Sequence, residues 1–184
     1  MIAVERAELL ELLRQRSLSR GDFVLASGAR SGYYIDARRT SMSGAGQRLI
    51  GRLGLVLLDQ RGWRPQLIGG LTLGADPVAY AIAHAAALVG RTLDAFTVRK
   101  EAKGHGAGRL IEGADVAGRD VVVVEDTITT GGSALRAIQA LEGGGARILG
   151  VLALVDRGEG GASKLQEAGY TVAALATAGE LLDA

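Results

Sequence analysis

The stretch VVVVEDTITTGGSALRAI, residues 121–138, decides the fold. Four consecutive valines, Val121 to Val124, leave no polar face. A strand built from them has to be covered on both sides, as in a parallel sheet packed between helices. Glu125 and Asp126 follow, then a turn of threonines and glycines. A helix from Gly132 to Leu141 comes next and is ended by GGGA. The same alternation runs outward in both directions. Upstream, Gln66 to Gly69 reads as a short strand, Ala75 to Val89 as an alanine-rich helix and Leu93 to Val98 as a strand. Downstream, Ile148 to Val155 is a second buried strand, 161–168 a helix and Tyr170 to Leu175 a last strand. Residues 100–118 carry many glycines and few large apolar residues. Strand alternating with helix predicts an α/β fold with a mainly parallel sheet.

The N-terminal third has a different pattern. Residues 3–16 place Leu9, Leu10, Leu12 and Leu13 among charges, an amphipathic helix. Two short apolar runs, Phe23 to Ala26 and Tyr33 to Ile35, flank the turn residues SGARSG and predict a hairpin. Residues 44–61 are helical, with Leu49, Ile50, Leu53, Val56 and Leu57 on one face. No internal repeat or boundary divides the chain, so a single domain over 1–184 is expected.

In such folds ligands bind outside the carboxyl ends of the strands. There, Gly131 and Gly132 let backbone amides turn toward an anion, and the new helix adds its free N–H groups and positive dipole end. Thr127, Thr129, Thr130 and Ser133 add hydroxyls. The acids beside this cradle repel phosphate but accept hydrogen bonds from sugar hydroxyls. Phosphate and ribose in one loop make a ribose 5-phosphate site. A Walker A loop needs a GK pair, which is absent, and the turn lacks the GxGxxG of a dinucleotide fingerprint. The alternative, a merely polar turn, leaves two acids at the end of a valine strand without a purpose.

Composition narrows the rest. There is no cysteine, which removes disulfides, thiolate nucleophiles and thiolate-ligated metals; two histidines, His84 and His105, are too few for a histidine-rich metal site. The net charge of +1 argues against a general nucleic-acid or membrane-surface binder. No apolar run is long enough for a membrane span or a secretory leader, so a soluble cytoplasmic protein is expected. Of 21 basic residues only three are lysine, and two of these, Lys100 and Lys103, share the segment VRKEAKGHGAGRLIEG, residues 98–113. With Arg99, His105 and Arg109 they form a cationic cluster among the glycines Gly104, Gly106 and Gly108. Such a loop suits a lid over a polyanion, stabilising charge that develops on a leaving group. The competing reading is a solvated loop whose charges do nothing.

The segment 121–133 closely resembles the phosphoribosyl pyrophosphate (PRPP) motif of type I phosphoribosyltransferases. RKEAKGHG, residues 99–106, resembles the catalytic loop RKxxKxHG of the orotate phosphoribosyltransferases among them. The resemblance implies the type I phosphoribosyltransferase fold: a mainly parallel central sheet flanked by helices, with a small N-terminal hood segment. It implies that Glu125 and Asp126 face the ribose hydroxyls and that Thr127, Ile128, Thr129, Thr130, Gly131, Gly132 and Ser133 hold the 5-phosphate. It implies that Arg99, Lys100, Lys103 and His105 bind PRPP and act in catalysis with Asp126. Thr129 and Arg157, the latter in LVDRG at a strand end, are implied on the orotate side, and the loop implies a homodimer with shared active sites. The activity implied is transfer of a phosphoribosyl group from PRPP to orotate, giving orotidine 5′-phosphate and pyrophosphate in UMP synthesis, with Mg²⁺ carried mainly by PRPP. The alternatives are a transferase for another base and a non-catalytic PRPP-sensing regulator, although the chain has no basic excess for DNA.

GGLTLGADP, residues 69–77, resembles the family's pyrophosphate loop, and FVLASGARSGYYID, residues 23–36, its orotate-side segment. Many relatives have lysine where Ala26 and Gly74 stand; Arg30 is a candidate substitute for the first. Tyr33 and Tyr34 suit either packing on a planar base or ordinary cross-strand packing. His84 and Trp63 read as structural, and Arg38 and Arg39 as a solvated strand end with a phosphate role as the alternative.

Overall fold

The structure, a computed structural model, describes residues 1–24, 30–101 and 110–183. Helix α1 (Ile2–Arg16) leads into strands β1 (Leu18–Val24) and β2 (Arg30–Ile35), which pair antiparallel and form a small sheet of their own. The hairpin is therefore present. Its first strand lies five residues earlier than the apolar run Phe23 to Ala26 suggested, because Leu18 pairs with Ile35. A short helix α2 (Arg38–Ser41) and the long α3 (Gly44–Gln60) complete the N-terminal third. Arg38 and Arg39 thus open a helix instead of ending a strand. Ser43 caps α3 by accepting the Gly46 N–H, one of the donors a helix start leaves free.

The remaining elements are β3 (Leu67–Leu71), α4 (Ala75–Leu88), β4 (Asp94–Val98), β5 (Ile111–Gly113), β6 (Asp120–Ile128), α5 (Gly132–Gly143), β7 (Arg147–Asp156), α6 (Gly161–Glu167), β8 (Val172–Thr177) and α7 (Ala178–Leu182). They build a six-stranded sheet in the order β5-β4-β3-β6-β7-β8. All neighbours are parallel except β5, which runs antiparallel to β4. Strand β5 was not legible: three residues on an edge need no apolar alternation.

The period of two decides where the valines go. Val122 and Val124 enter the core shared with α3 and α4, while Val121 and Val123 enter the core beneath α5. All four are fully buried. Trp63 belongs to the first core, as its sequence context suggested. His84 does not: it lies exposed on α4, whose apolar face is carried by Val78, Ile82 and small alanines. Among the described residues no helix is long and apolar enough to cross a membrane.

The strand order places the site. The chain goes from β3 outward to β4 and β5, then returns to lay β6 on the other side of β3. The loops after β3 and β6 therefore diverge, and the crevice between them is the topological switch point where such sheets bind ligands.

Candidate active site

A cleft of about 620 Å³ opens at that switch point. The β3–α4 loop contributes Leu71, Thr72, Leu73 and Gly74 to it. Strand β6 and the turn after it contribute Glu125, Asp126, Thr127, Thr129, Thr130 and Ser133. The hood and α2 supply Tyr34, Ile35, Asp36, Ala37 and Arg38, the end of β7 supplies Arg157 and Glu159, and Lys100 enters from the end of β4.

The acids stand within β6, not beyond it: the strand continues to Ile128, with Glu125 opposite Ala153 and Thr127 opposite Val155. This rigid placement holds Glu125 at 7% exposure, its Oε1 buried and without a hydrogen-bond partner. Burial, and then the neighbouring Asp126 charge, push its pKa up to about 8. Asp126 is raised as well, mainly by burial, against the opposing pull of the Thr127 N–H and the Arg38 charge. The Thr127 N–H donates to Asp126 Oδ1 at 2.8 Å. Thr127 Oγ1 is likewise buried and unpartnered. These groups await donors and acceptors of the kind a hydroxylated sugar phosphate brings.

The turn itself is tightly constrained. Gly131 has φ +74°, the left-handed region in which a side chain is strained, and it directly precedes α5. A Cβ there would stand 2.9 Å from the Gly161 carbonyl oxygen at the start of α6. The turn is therefore pressed between the starts of α5 and α6. Ile128, expected among the phosphate contacts, points its side chain into the core at 1% exposure, and its carbonyl accepts the Arg157 N–H at 3.0 Å. Its side chain is not part of the site, because the strand's alternation turns it inward.

The β3–α4 loop is tied down by Asp76, itself 8% exposed, which accepts the hydroxyls of Thr72 at 2.6 Å and Thr97 at 2.9 Å. This residue was missed: a single acid at a helix start reads as ordinary capping. A Cβ on Gly74 would meet the three carboxyl atoms of Asp126 at 2.6 Å, so no side chain fits at 74 while Asp126 keeps this position. Leu73, more than half exposed, is the side chain this loop presents.

At the other end of the cleft Arg157 is buried, with its side chain 4% exposed. Its Nε–H donates to Glu159 Oε1 at 2.8 Å, and its guanidinium carbon lies 4.8 Å from the Tyr33 ring centroid. Tyr33 therefore packs on an arginine, a use the sequence did not suggest. Tyr34 lines the cleft and sits 5.8 Å from Phe23 in a tilted cross-strand pair.

The cations divide. Lys100 reaches the cleft. Arg99 does not line it; the residue stands at the end of β4, its Nη1 3.6 Å from Glu112 of β5. Lys103, His105 and Arg109 lie outside the described residues, as does Ala26. Arg30 is exposed at the start of β2 and does not line the cleft. Arg38 does, on the rim, held by Asp36 Oδ1 at 3.0 Å from its Nε. Among described residues Arg38, Lys100 and Arg157 are the cations of this site.

The β6 acid pair, the glycine turn before α5 and the β3–α4 loop face one cleft at the switch point, an arrangement that suits a phosphoribosyl-transferring site. Residues 47–169 match the phosphoribosyl transferase domain, and the chain belongs to the phosphoribosyltransferase family. Within that family its relatives are specific. The chain is 49% identical over 169 residues to the orotate phosphoribosyltransferase of Mycobacterium avium, covering 92% of each. It superposes on the crystal structure of Mycobacterium tuberculosis orotate phosphoribosyltransferase with Fe(III) dicitrate at a TM-score of 0.86 and 46% identity, over 96% of this chain and 98% of that one. The same Mycobacterium tuberculosis enzyme in complex with PRPP superposes at a TM-score of 0.82 and 44% identity, over 96% and 98% of the two chains. These similarities place the chain with the orotate phosphoribosyltransferases.

Proposed function

We propose that this protein transfers the 5-phosphoribosyl group of PRPP to orotate, releasing pyrophosphate and forming orotidine 5′-phosphate for UMP synthesis. The observation that carries the reading is the convergence in one cleft of the β6 acid pair, the Thr127–Ser133 cradle and the buried Arg157. The cradle takes the 5-phosphate on backbone amides and hydroxyls. Glu125 and Asp126 accept the ribose hydroxyls. The β3–α4 loop, held by Asp76, takes the diphosphate. The Arg157 fork matches the orotate carboxylate, a planar anion, and Thr129 lines the same cleft.

Orotate arrives as an anion, so its ring nitrogen already carries the electron pair that forms the new bond to ribose C1. The C1–oxygen bond to pyrophosphate breaks as that bond forms, through an oxocarbenium-like state. The protein contributes alignment and charge complementarity. Lys100, and with it Arg99, Lys103 and His105 of the same loop, balance the charge that grows on the departing pyrophosphate. On this reading the loop serves the neighbouring subunit of a homodimer, as the family resemblance implies.

Mg²⁺ fits as part of the substrate. Among the described residues no group of three or more acids or histidines could cage a metal. Glu125, with its orphaned Oε1, and Asp126 suit a hydrated divalent ion delivered on a diphosphate. When bound there it would neutralise diphosphate charge.

The test is absorbance loss of orotate on adding the protein, PRPP and Mg²⁺. Turnover of orotate but not of purine bases is the expected outcome. Purine turnover would move the assignment to another base, and PRPP binding without turnover of any base would make the chain a PRPP sensor.

A further inference from the structure

The orotate-side arginine is held on two flanks by residues that the motifs do not single out. Guanidinium groups offer a side edge, formed by Nε and one Nη, and an end edge formed by both Nη atoms. Glu159 takes the side edge of Arg157 with one oxygen: Oε1 accepts from Nε at 2.8 Å and lies 2.6 Å from Nη2. Nη2 is buried and, despite that proximity, has no aligned hydrogen-bond acceptor. The guanidinium carbon lies over the Tyr33 ring, 4.8 Å from its centroid. Glu159 does not take Nη1, the outer corner of the end edge, and both Arg157 and Glu159 line the cleft.

A guanidinium this deeply buried is costly without an anion. A flexible side chain relieves that cost by swinging to water. Glu159 removes the incentive while leaving Nη1 untaken, and the Tyr33 ring packs against the guanidinium from the hood side. We propose that Glu159 and Tyr33 are positioning residues that aim the end edge of Arg157 at the carboxylate of a planar base, and so determine affinity for the base without touching it. The proposal rests on the orotate reading of Arg157.

Glu159 reaches Arg157 from the loop after β7, two residues on, and Tyr33 reaches it from β2, 124 positions earlier in the chain. The clamp therefore joins the hood to the sheet. Its rigidity is available before any substrate enters, which favours affinity by preorganisation.

Steady-state kinetics of the full chain with both substrates tests the idea. Glu159→Ala should raise the KM for orotate roughly tenfold and leave the KM for PRPP within about twofold. Glu159→Gln, whose amide oxygen still accepts the Nε–H, should recover most of that loss. Tyr33→Leu should raise the orotate KM a few-fold. An orotate KM unchanged in Glu159→Ala would overturn the proposal, and a lowered one would show that Glu159 competes with substrate instead of aiming its partner. Arg157→Lys separates the two levels. If it leaves the orotate KM unchanged, the reading of Arg157 itself fails; if it raises that KM while Glu159→Ala does not, only the clamp fails.

Discussion

The two ends of the cleft are built in opposite ways. The end proposed for the phosphate comes from one continuous stretch, β6 and the turn that follows, in which Glu125 to Ser133 occupy consecutive positions. The end proposed for the base is assembled from β2, the end of β7 and the loop beyond it, with Tyr33, Arg157 and Glu159 brought together by the fold. A phosphate is recognised by backbone amides and a helix dipole, which local chain geometry creates by itself. A planar carboxylate is recognised by a directed side-chain fork, and aiming a long side chain in a buried place needs neighbours from elsewhere.

Five substitutions or measurements press on this contrast. Lys103→Ala should have the largest effect, lowering kcat by roughly a hundredfold or more with little change in orotate binding, because the loop acts on charge that appears only in the transition state. Unchanged kcat in a steady-state assay would sink the catalytic role of the loop. Gly131→Ala comes next. Its positive φ and the Gly161 carbonyl 2.9 Å from the new Cβ should distort the cradle and raise the KM for PRPP roughly tenfold, sparing the orotate KM. If both constants rise together, the two ends are coupled and the contrast is too simple.

Restoring a side chain at position 74 should harm the enzyme. Gly74→Ala should lower kcat several-fold, since its Cβ meets the Asp126 carboxylate at 2.6 Å. Improved turnover would show that Asp126 has another productive position. The mildest test is a proton count. Glu125, with a pKa near 8 in the folded chain, is mostly protonated at pH 7. Ribose hydroxyls that donate to its carboxylate should lower that pKa, so binding of PRPP with Mg²⁺ should release close to one proton per site at pH 7 and almost none above pH 9. Calorimetry in buffers of different ionisation enthalpy reads this directly. For the unliganded fold the sign is the reverse of a paired acid. Stability is fullest below the ordinary carboxyl range and declines as pH rises through about 8. Glu125→Gln should therefore gain in Tm over the parent as pH rises above the ordinary carboxyl range, with the gain levelling off above about pH 8.

What could be read in advance follows the same division. Val121 to Val124 specify a strand buried on two sides, and the helix start at Gly132 follows at once, so the fold class and the turn that faces the cleft were both legible. Strand limits were less so: β6 runs three residues past Glu125 because its pairing with β7 continues to Asp156. The mistaken reading of Arg38 as a solvated strand end has a related cause. Nothing in the local pattern shows that Asp36 would hold it on the cleft rim. Asp76, too, looks like a routine helix-start acid until Thr72 and Thr97 are seen to converge on it.

The sequence by itself determined the layer architecture, the acid pair and the anion turn, because each rests on contacts between near neighbours and on the period of the hydrophobic pattern. Only the tertiary structure decided that Gly74 lies against Asp126, that Ile128 turns inward, and that Tyr33 and Glu159 grip Arg157. Those facts depend on where distant segments cross, and crossing positions are set by the packing of the whole core.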